Sequence, residues 1–499
     1  MKKMKSNNKS ITKLLEKYQE ISRIGQIASV VNYDTAISLP QKGSDSRANQ
    51  MAYLAQLGAD KWLDKDFKEI FENAKKENNL NIEEKAILRN IDHSAKFYFK
   101  VPKKLIVEYS HLTSKSFMVW QKAKVENKFE DFAPYLEKLI DKNIEIANYV
   151  GYDKNPYDAL LDMYEPGLKT SELEIIFDEL VKNLSPLVKK LASNNQKSIL
   201  RGTDKTYSVD SQIKIANYVL GLMGYDFEGG RMDVSSHPFT STLGLGDVRI
   251  TNRYKNNDFI ESIMVAMHEG GHAIYDQGVN PDYFETPLDG GVSLGIHESQ
   301  SRFWENQIGR SKEFINFIFP LLKSHYGNEL NNSNSEDIYF EATKVNPSLI
   351  RTDADEVTYN LHVALRFELE NALINKKIKV KELPTRWKEK MKKYLAVVPD
   401  TDREGVLQDV HWSEGMFGYF PTYTLGNLYS AQFTHFMEKS LDIKKLVSEG
   451  NFKPMLDWLR SNIHTFGSRD LPDDLAQKIT GVKLNPKYFI DYIDKKYNK

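Results

Sequence analysis

The 499 residues include no cysteine. That absence removes disulfide frameworks, thiol nucleophiles and Cys-ligated zinc or iron–sulfur sites, so any bound metal must rest on histidine and carboxylate. Net charge is missing too: 68 Lys+Arg stand against 69 Asp+Glu, a formal charge of −1. A chain so balanced has no general field to draw it to nucleic acid or to an anionic membrane. The strongest apolar run, Phe314 to Leu322, is broken by Asn316 and Pro320 and falls far short of the ~18 residues of a membrane span. No repeat, low-complexity tract or long linker divides the sequence. The basic N-terminus leads into an amphipathic segment rather than an apolar core, which predicts a cytoplasmic protein.

Helical spacing dominates what remains. Ile11, Leu14, Leu15, Tyr18, Ile21 and Ile24 form one apolar stripe, and similar patterns predict helices near 58–78, 83–98, 103–125, 131–150, 171–193 and 209–223. Between Ser235 and Tyr254 the pattern changes. Pro238, Gly244, Gly246 and the alternation of Val248, Ile250, Asn252 and Tyr254 predict a short β-hairpin or ribbon. Helical spacing then resumes to the end, giving a mainly α fold with a small antiparallel sheet inserted midway.

The sharpest feature is His268-Glu269-Gly270-Gly271-His272, within a helix predicted over Asp258–Gln277. Asp258 and Glu261 resemble a capping box, and Gly278 is a natural stop. Residues i and i+4 of a helix face the same way about 6 Å apart, so both imidazoles can reach one ion. Glu269 lies ~100° around the helix, outside the ligand set but close enough to serve as a base. This is the H-E-x-x-H arrangement of zinc peptidases. A catalytic zinc takes three protein ligands and keeps one position open. One class of these enzymes finds its third ligand in a His six residues on, where this chain has Gly278, so that class is excluded. The next cluster, Gly295 to Arg302, offers Glu298 as the third ligand and His297 as its competitor.

These residues, with others along the chain, resemble the metallocarboxypeptidases typified by carboxypeptidase Taq. The matching segments are His237-Pro238-Phe239, Asp247-Val248-Arg249-Ile250-Thr251, the His268–His272 motif, His297-Glu298-Ser299-Gln300, Ile350 to Asp355, Gly405 to Trp412 and Gly418 to Tyr423. Tyr157 to Asp162 and Glu165-Pro166-Gly167 extend the likeness into the N-terminal half. Tyr33-Asp34 departs from the usual Trp-Asp at a position expected to lie away from the chemistry.

The resemblance implies a large helical, cleft-shaped peptidase fold like that of neurolysin and angiotensin-converting enzyme. It implies one unit over 1–499, with a helical portion near 1–234 and a catalytic portion near 235–499. It also implies release of single C-terminal residues from peptides, a homodimer, and one divalent metal, zinc or alternatively cobalt, on His268, His272 and Glu298. Glu269 is the expected base. Tyr423 and His411 are the expected donors to the oxyanion, with Tyr419 competing. The planar fork of an arginine suits a terminal carboxylate; Arg351 is the first choice and Arg249 the second, with His237 and Gln408 as further substrate contacts.

Overall fold

The computed structural model describes residues 4, 6–192, 200 and 205–498. Twenty α-helices and one three-stranded sheet are found among them. The first helix, Lys9–Ile37, starts where the Asn8 side chain accepts from the amides of Ser10 and Ile11. Its apolar stripe meets Phe67, Phe71, Ile87 and Ile91 from the next helices, together with Val279, Tyr283 and Leu288. The N-terminal helices are thereby pinned to the loop that follows the metal-motif helix.

The continuous pattern near 58–78 is two helices, Ser44–Trp62 and Lys65–Ala74. Asp64 interrupts them because its carboxylate accepts the amide of Asp66 and starts a second helix. Residue 193, the last of the 171–193 pattern, lies outside the described residues, and the helix is described over Thr170–Ala192. No described helix is long and apolar enough to cross a membrane.

A larger apolar core surrounds the Phe259–Gly278 helix, burying Ile263, Met264, Ala266, Met267, Ala273, Ile274 and Tyr275. A fully buried Ile or Met contributes about 2 kcal/mol. Several of them outweigh the roughly 1 kcal/mol that each central glycine costs relative to Ala.

The sheet comprises β1 (Met232–Val234), β2 (Thr240–Gly244) and β3 (Asp247–Asn252) in the order β1-β3-β2. β2 and β3 form the expected antiparallel hairpin, turning through Gly246 at φ 75°. The sheet as a whole is mixed rather than antiparallel, because β1 runs parallel to β3 with Met232 opposite Ile250. The His237-Pro238-Phe239 segment crosses from one side of β3 to the other. The Thr251 hydroxyl steadies the crossing: it lies 2.7 Å from Ser235 Oγ and accepts the Phe239 amide at 2.9 Å.

Candidate active site

His268 and His272 project from one face of the Phe259–Gly278 helix, which begins with the Asp258 carboxylate accepting the amide of Glu261. Glu298 comes from the Leu294–Arg302 helix, capped by Ser293. Its Oε2 lies 3.3 Å from His272 Nε2 and 3.7 Å from His268 Nε2. One ligand atom from each of the three lies within 4.8 Å of the others. A tetrahedral ion with bonds of about 2.0–2.1 Å would hold its donors about 3.4 Å apart, so the spacing and chemistry of the set fit such a metal.

Each of the three is tied down on its far side. His268 Nδ1 lies 2.9 Å from Glu305 Oε2, and Arg302 Nε donates to Glu298 Oε1 at 2.7 Å. His272 Nδ1 lies 2.6 Å from His297 Nδ1, whose Nε2 is 2.9 Å from Asp276 Oδ1. Both nitrogens of His297 are thus engaged behind His272. Such outer contacts fix which atom of a ligand faces the ion. Burial works against the charge on Glu298, but Arg302, His268 and His272 outweigh it and hold the carboxyl far below the usual range. Glu305 is likewise held low: burial is outweighed by Arg302, His268 and Arg310.

The central glycines are steric requirements. A Cβ on Gly271 would lie 2.6 Å from the Gln300 carbonyl oxygen, and one on Gly270 would lie 2.4 Å from Leu220 Cδ2. From the opposite side, a Cβ on Gly426 would come 2.3 Å from Glu298 Cγ. The Glu298 helix is therefore held close on two faces. Gly278, expected as a simple stop, also makes room for His464, whose Cβ would lie 2.8 Å from an added methyl.

Glu269, the residue after His268, is buried, and the Thr240 hydroxyl on β2 donates to its Oε2 at 2.7 Å and lies 3.0 Å from its backbone carbonyl. The Pro421–Met437 helix, packed against the Glu298 helix at Gly426, and its approach carry aromatic residues. Tyr423 Oη is 3.2 Å from His411 Nε2, and the Tyr419 and Tyr423 rings are 5.3 Å apart. Burial pushes His411 down to about 4, although Asp409 pulls the other way, so the imidazole is neutral at pH 7. Burial raises the Tyr423 phenol well above its usual value despite Arg351, so it keeps its proton.

Arg351 is buried and its guanidinium lies 4.8 Å from the Tyr423 ring centre. It gives Nε to Asp409 and Nη1 to Tyr359 Oη, both at 2.9 Å, while Arg302 lies over the Tyr359 ring. Tyr359 thus links Arg351 to the partner of Glu298. Gln408 is spent on this scaffold: its oxygen accepts the Arg351 amide and Arg366 Nη2, and its nitrogen donates to two carbonyls. Arg249 has a different set of partners. It alternates with the buried Val248 and Ile250, pairs through two bonds with Asp247, and lies over the Tyr33 ring at 5.2 Å. His237 is exposed on the crossover. Tyr33, expected to lie away from the chemistry, packs against Phe239 and donates to Asp233, so it borders the ribbon.

Sequence reasoning missed Glu305, Asp276, Arg302, Thr240 and Tyr359. Spacing marked two of them: Asp276 is one helical turn beyond His272, and Glu305 two turns beyond Glu298.

The sequence profile described as carboxypeptidase Taq (M32) metallopeptidase matches residues 13–497. The chain belongs to this family. It is 40% identical over 493 residues to thermostable carboxypeptidase 1 of Pyrococcus furiosus, covering 98% of this chain and 99% of that one. Carboxypeptidase 1 of Bacillus subtilis is 37% identical over 482 residues, covering 96% of each. Among solved structures, Pyrococcus furiosus carboxypeptidase superposes with a TM-score of 0.95 at 40% identity, covering 99% of each chain. The M32 carboxypeptidase of Deinococcus radiodurans also reaches 0.95, at 33% identity, with 98% of this chain and 99% of that one covered. The protein is a metallocarboxypeptidase that acts on peptides with a divalent metal.

The glycine geometry yields a first prediction. Gly271→Ala gains helix propensity, about 1 kcal/mol, yet pushes the Glu298 helix away. Metal affinity, read by competition with a chelator, is expected to fall about 10-fold or more. Gly25→Ala, where an added methyl meets nothing within 4 Å, leaves it unchanged. Equal affinities in the two variants would show that the close approach does not set the site.

Proposed function

We propose that this carboxypeptidase releases single residues from free C-termini with broad preference, holding zinc, or alternatively cobalt, on His268, His272 and Glu298. The observation that carries the reading is the triad itself: three inner donor atoms converge while every outer atom is tied, and Glu269 stands beside them. A divalent metal held by these residues would supply Lewis acidity, lowering the pKa of water toward about 7 and polarising a peptide carbonyl.

The chain's own residues do the rest. Glu269, fixed by Thr240, removes a proton from the attacking water and returns it to the departing amine. Tyr423, protonated and braced by His411, donates to the carbonyl oxygen as negative charge develops there; Tyr419 is its competitor. Arg351 has given Nε to Asp409 and Nη1 to Tyr359, and its Nη2 is directed to the terminal carboxylate. Gln408 holds the Arg351 backbone. β2, an edge strand of the sheet, accepts the extended peptide as an added strand, with His237 and Arg249 further along the ribbon. A cytoplasmic homodimer completes the reading, and light scattering of the purified protein measures its mass in solution.

The competing reading, an oligopeptidase or dipeptidyl carboxypeptidase, uses the same metal chemistry. Amidation of the peptide C-terminus separates them. Removing the charge from a carboxylate held by arginine costs about 2–3 kcal/mol, a loss of about 100-fold in kcat/KM. Free-acid peptides are expected to shorten one residue at a time and amidated ones to resist. Efficient internal cleavage of the amidated peptide would establish the competitor.

A further inference from the structure

Glu370 takes no part in the chemistry above, yet it is fully buried in the Tyr359–Ile374 helix. Its two oxygens accept three hydrogen bonds. Oε2 receives Tyr157 Oη at 2.7 Å and the Gly418 amide at 3.0 Å, and Oε1 receives Trp412 Nε1 at 2.7 Å. Trp412 follows His411, and Gly418 precedes Tyr419. One carboxylate therefore grips both ends of the segment that carries His411 and leads into the helix of Tyr423.

Gly418 adopts φ 89°, and a Cβ there would lie 2.8 Å from the Leu160 carbonyl. The segment is pressed against the Pro156–Leu161 helix, which supplies Tyr157. This accounts for the Tyr157 motif, which the catalytic reading leaves without a task. A buried carboxylate is costly unless its lone pairs are occupied. Burial pushes this one up to about 7, even with Tyr157, Gly418 and Trp412 opposing it. An apolar residue would fill the helix position at less cost but would leave three donors unmet.

We propose that Glu370 is a positioning residue: with Tyr157 it anchors the His411–Gly418 segment, so that His411 and Tyr423 meet the scissile carbonyl in register. The inference rests on the assignment of Tyr423 and His411 given above. Misplacement of a catalytic group by about 1 Å can cost 100-fold in rate. Glu370→Gln, which turns an amide donor toward one of the three donors, is expected to lower kcat about 10- to 50-fold, with KM within about twofold and metal content per chain unchanged. Tyr157→Phe is expected to show the same split at about 3- to 5-fold. Adding Glu370→Gln to Tyr423→Phe is expected to cost little beyond Tyr423→Phe alone, since both act on one interaction.

The readouts are steady-state kinetics on a free-acid peptide, metal analysis and thermal unfolding. A folded, metal-replete Glu370→Gln protein with kcat within twofold of the parent overturns the inference. So do losses that multiply in the double variant. If Glu370→Gln fails to fold, Tyr157→Phe decides alone, and an unchanged kcat there also overturns it. Full turnover by Tyr423→Phe removes instead the assignment on which the inference stands.

Discussion

Glu269→Gln is expected to lower kcat about 1000-fold while the protein keeps its full complement of metal. The side chain changes by one atom, and its oxygen can still accept from Thr240 Oγ1, which lies 2.7 Å from Glu269 Oε2. What is lost is the ability to take a proton from water and give it to the departing amine. Glu269 lies outside the triad of converging ligand atoms, so the substitution removes no ligand. Turnover on a free-acid peptide, measured beside metal content, checks the result. Loss of activity together with metal would make Glu269 a ligand instead of a base. Unchanged hydrolysis would refute the proposed mechanism. Thr240→Val, which frees the carboxylate without removing it, is expected to cost about 10-fold.

The legible part of this site was its helical periodicity. His268 and His272 could be paired because four residues are about one turn, and the same rule marks Asp276 and Glu305. Choosing between His297 and Glu298 needed the direction of the Leu294–Arg302 helix, since neighbouring residues on a helix point about 100° apart. In three dimensions one faces the converging imidazoles and the other backs onto His272. The buried charges were the least legible. Arg366, with no exposed surface, lies between Leu365 and Phe367 and pairs with Asp409 at 2.5 Å, yet its sequence context suggests an ordinary charged position on an amphipathic helix. Glu370 and Arg351 share that difficulty, because pairing across elements leaves no periodic trace. The same is true of β1, whose three residues are too few to display alternation and whose parallel pairing is set by a crossover. Near-zero net charge thus concealed a dense set of buried ion pairs around the site.

Glu298→Ala is expected to weaken metal binding about 1000-fold, beyond the 10- to 100-fold typical of losing an outer contact, because a direct ligand of the proposed set disappears. A second effect adds to the first. Arg302 donates to Glu298 Oε1 at 2.7 Å and to Glu305 Oε2 at 3.0 Å, and most of its side chain is buried. Removing Glu298 leaves that guanidinium with half its compensation in a site of low polarizability, where an unbalanced charge is costly. Arg302 is then free to draw Glu305 away from His268, so the loss spreads from one ligand to a second. His297→Ala provides the contrast. It removes a contact to His272 Nδ1 but no donor atom facing the ion, and is expected to cost about 10-fold. Dissociation constants from chelator competition check the ordering. If His297→Ala emptied the site and Glu298→Ala spared it, the third ligand would be His297, and the imidazole chain through Asp276 would have to rearrange to free one of its nitrogens.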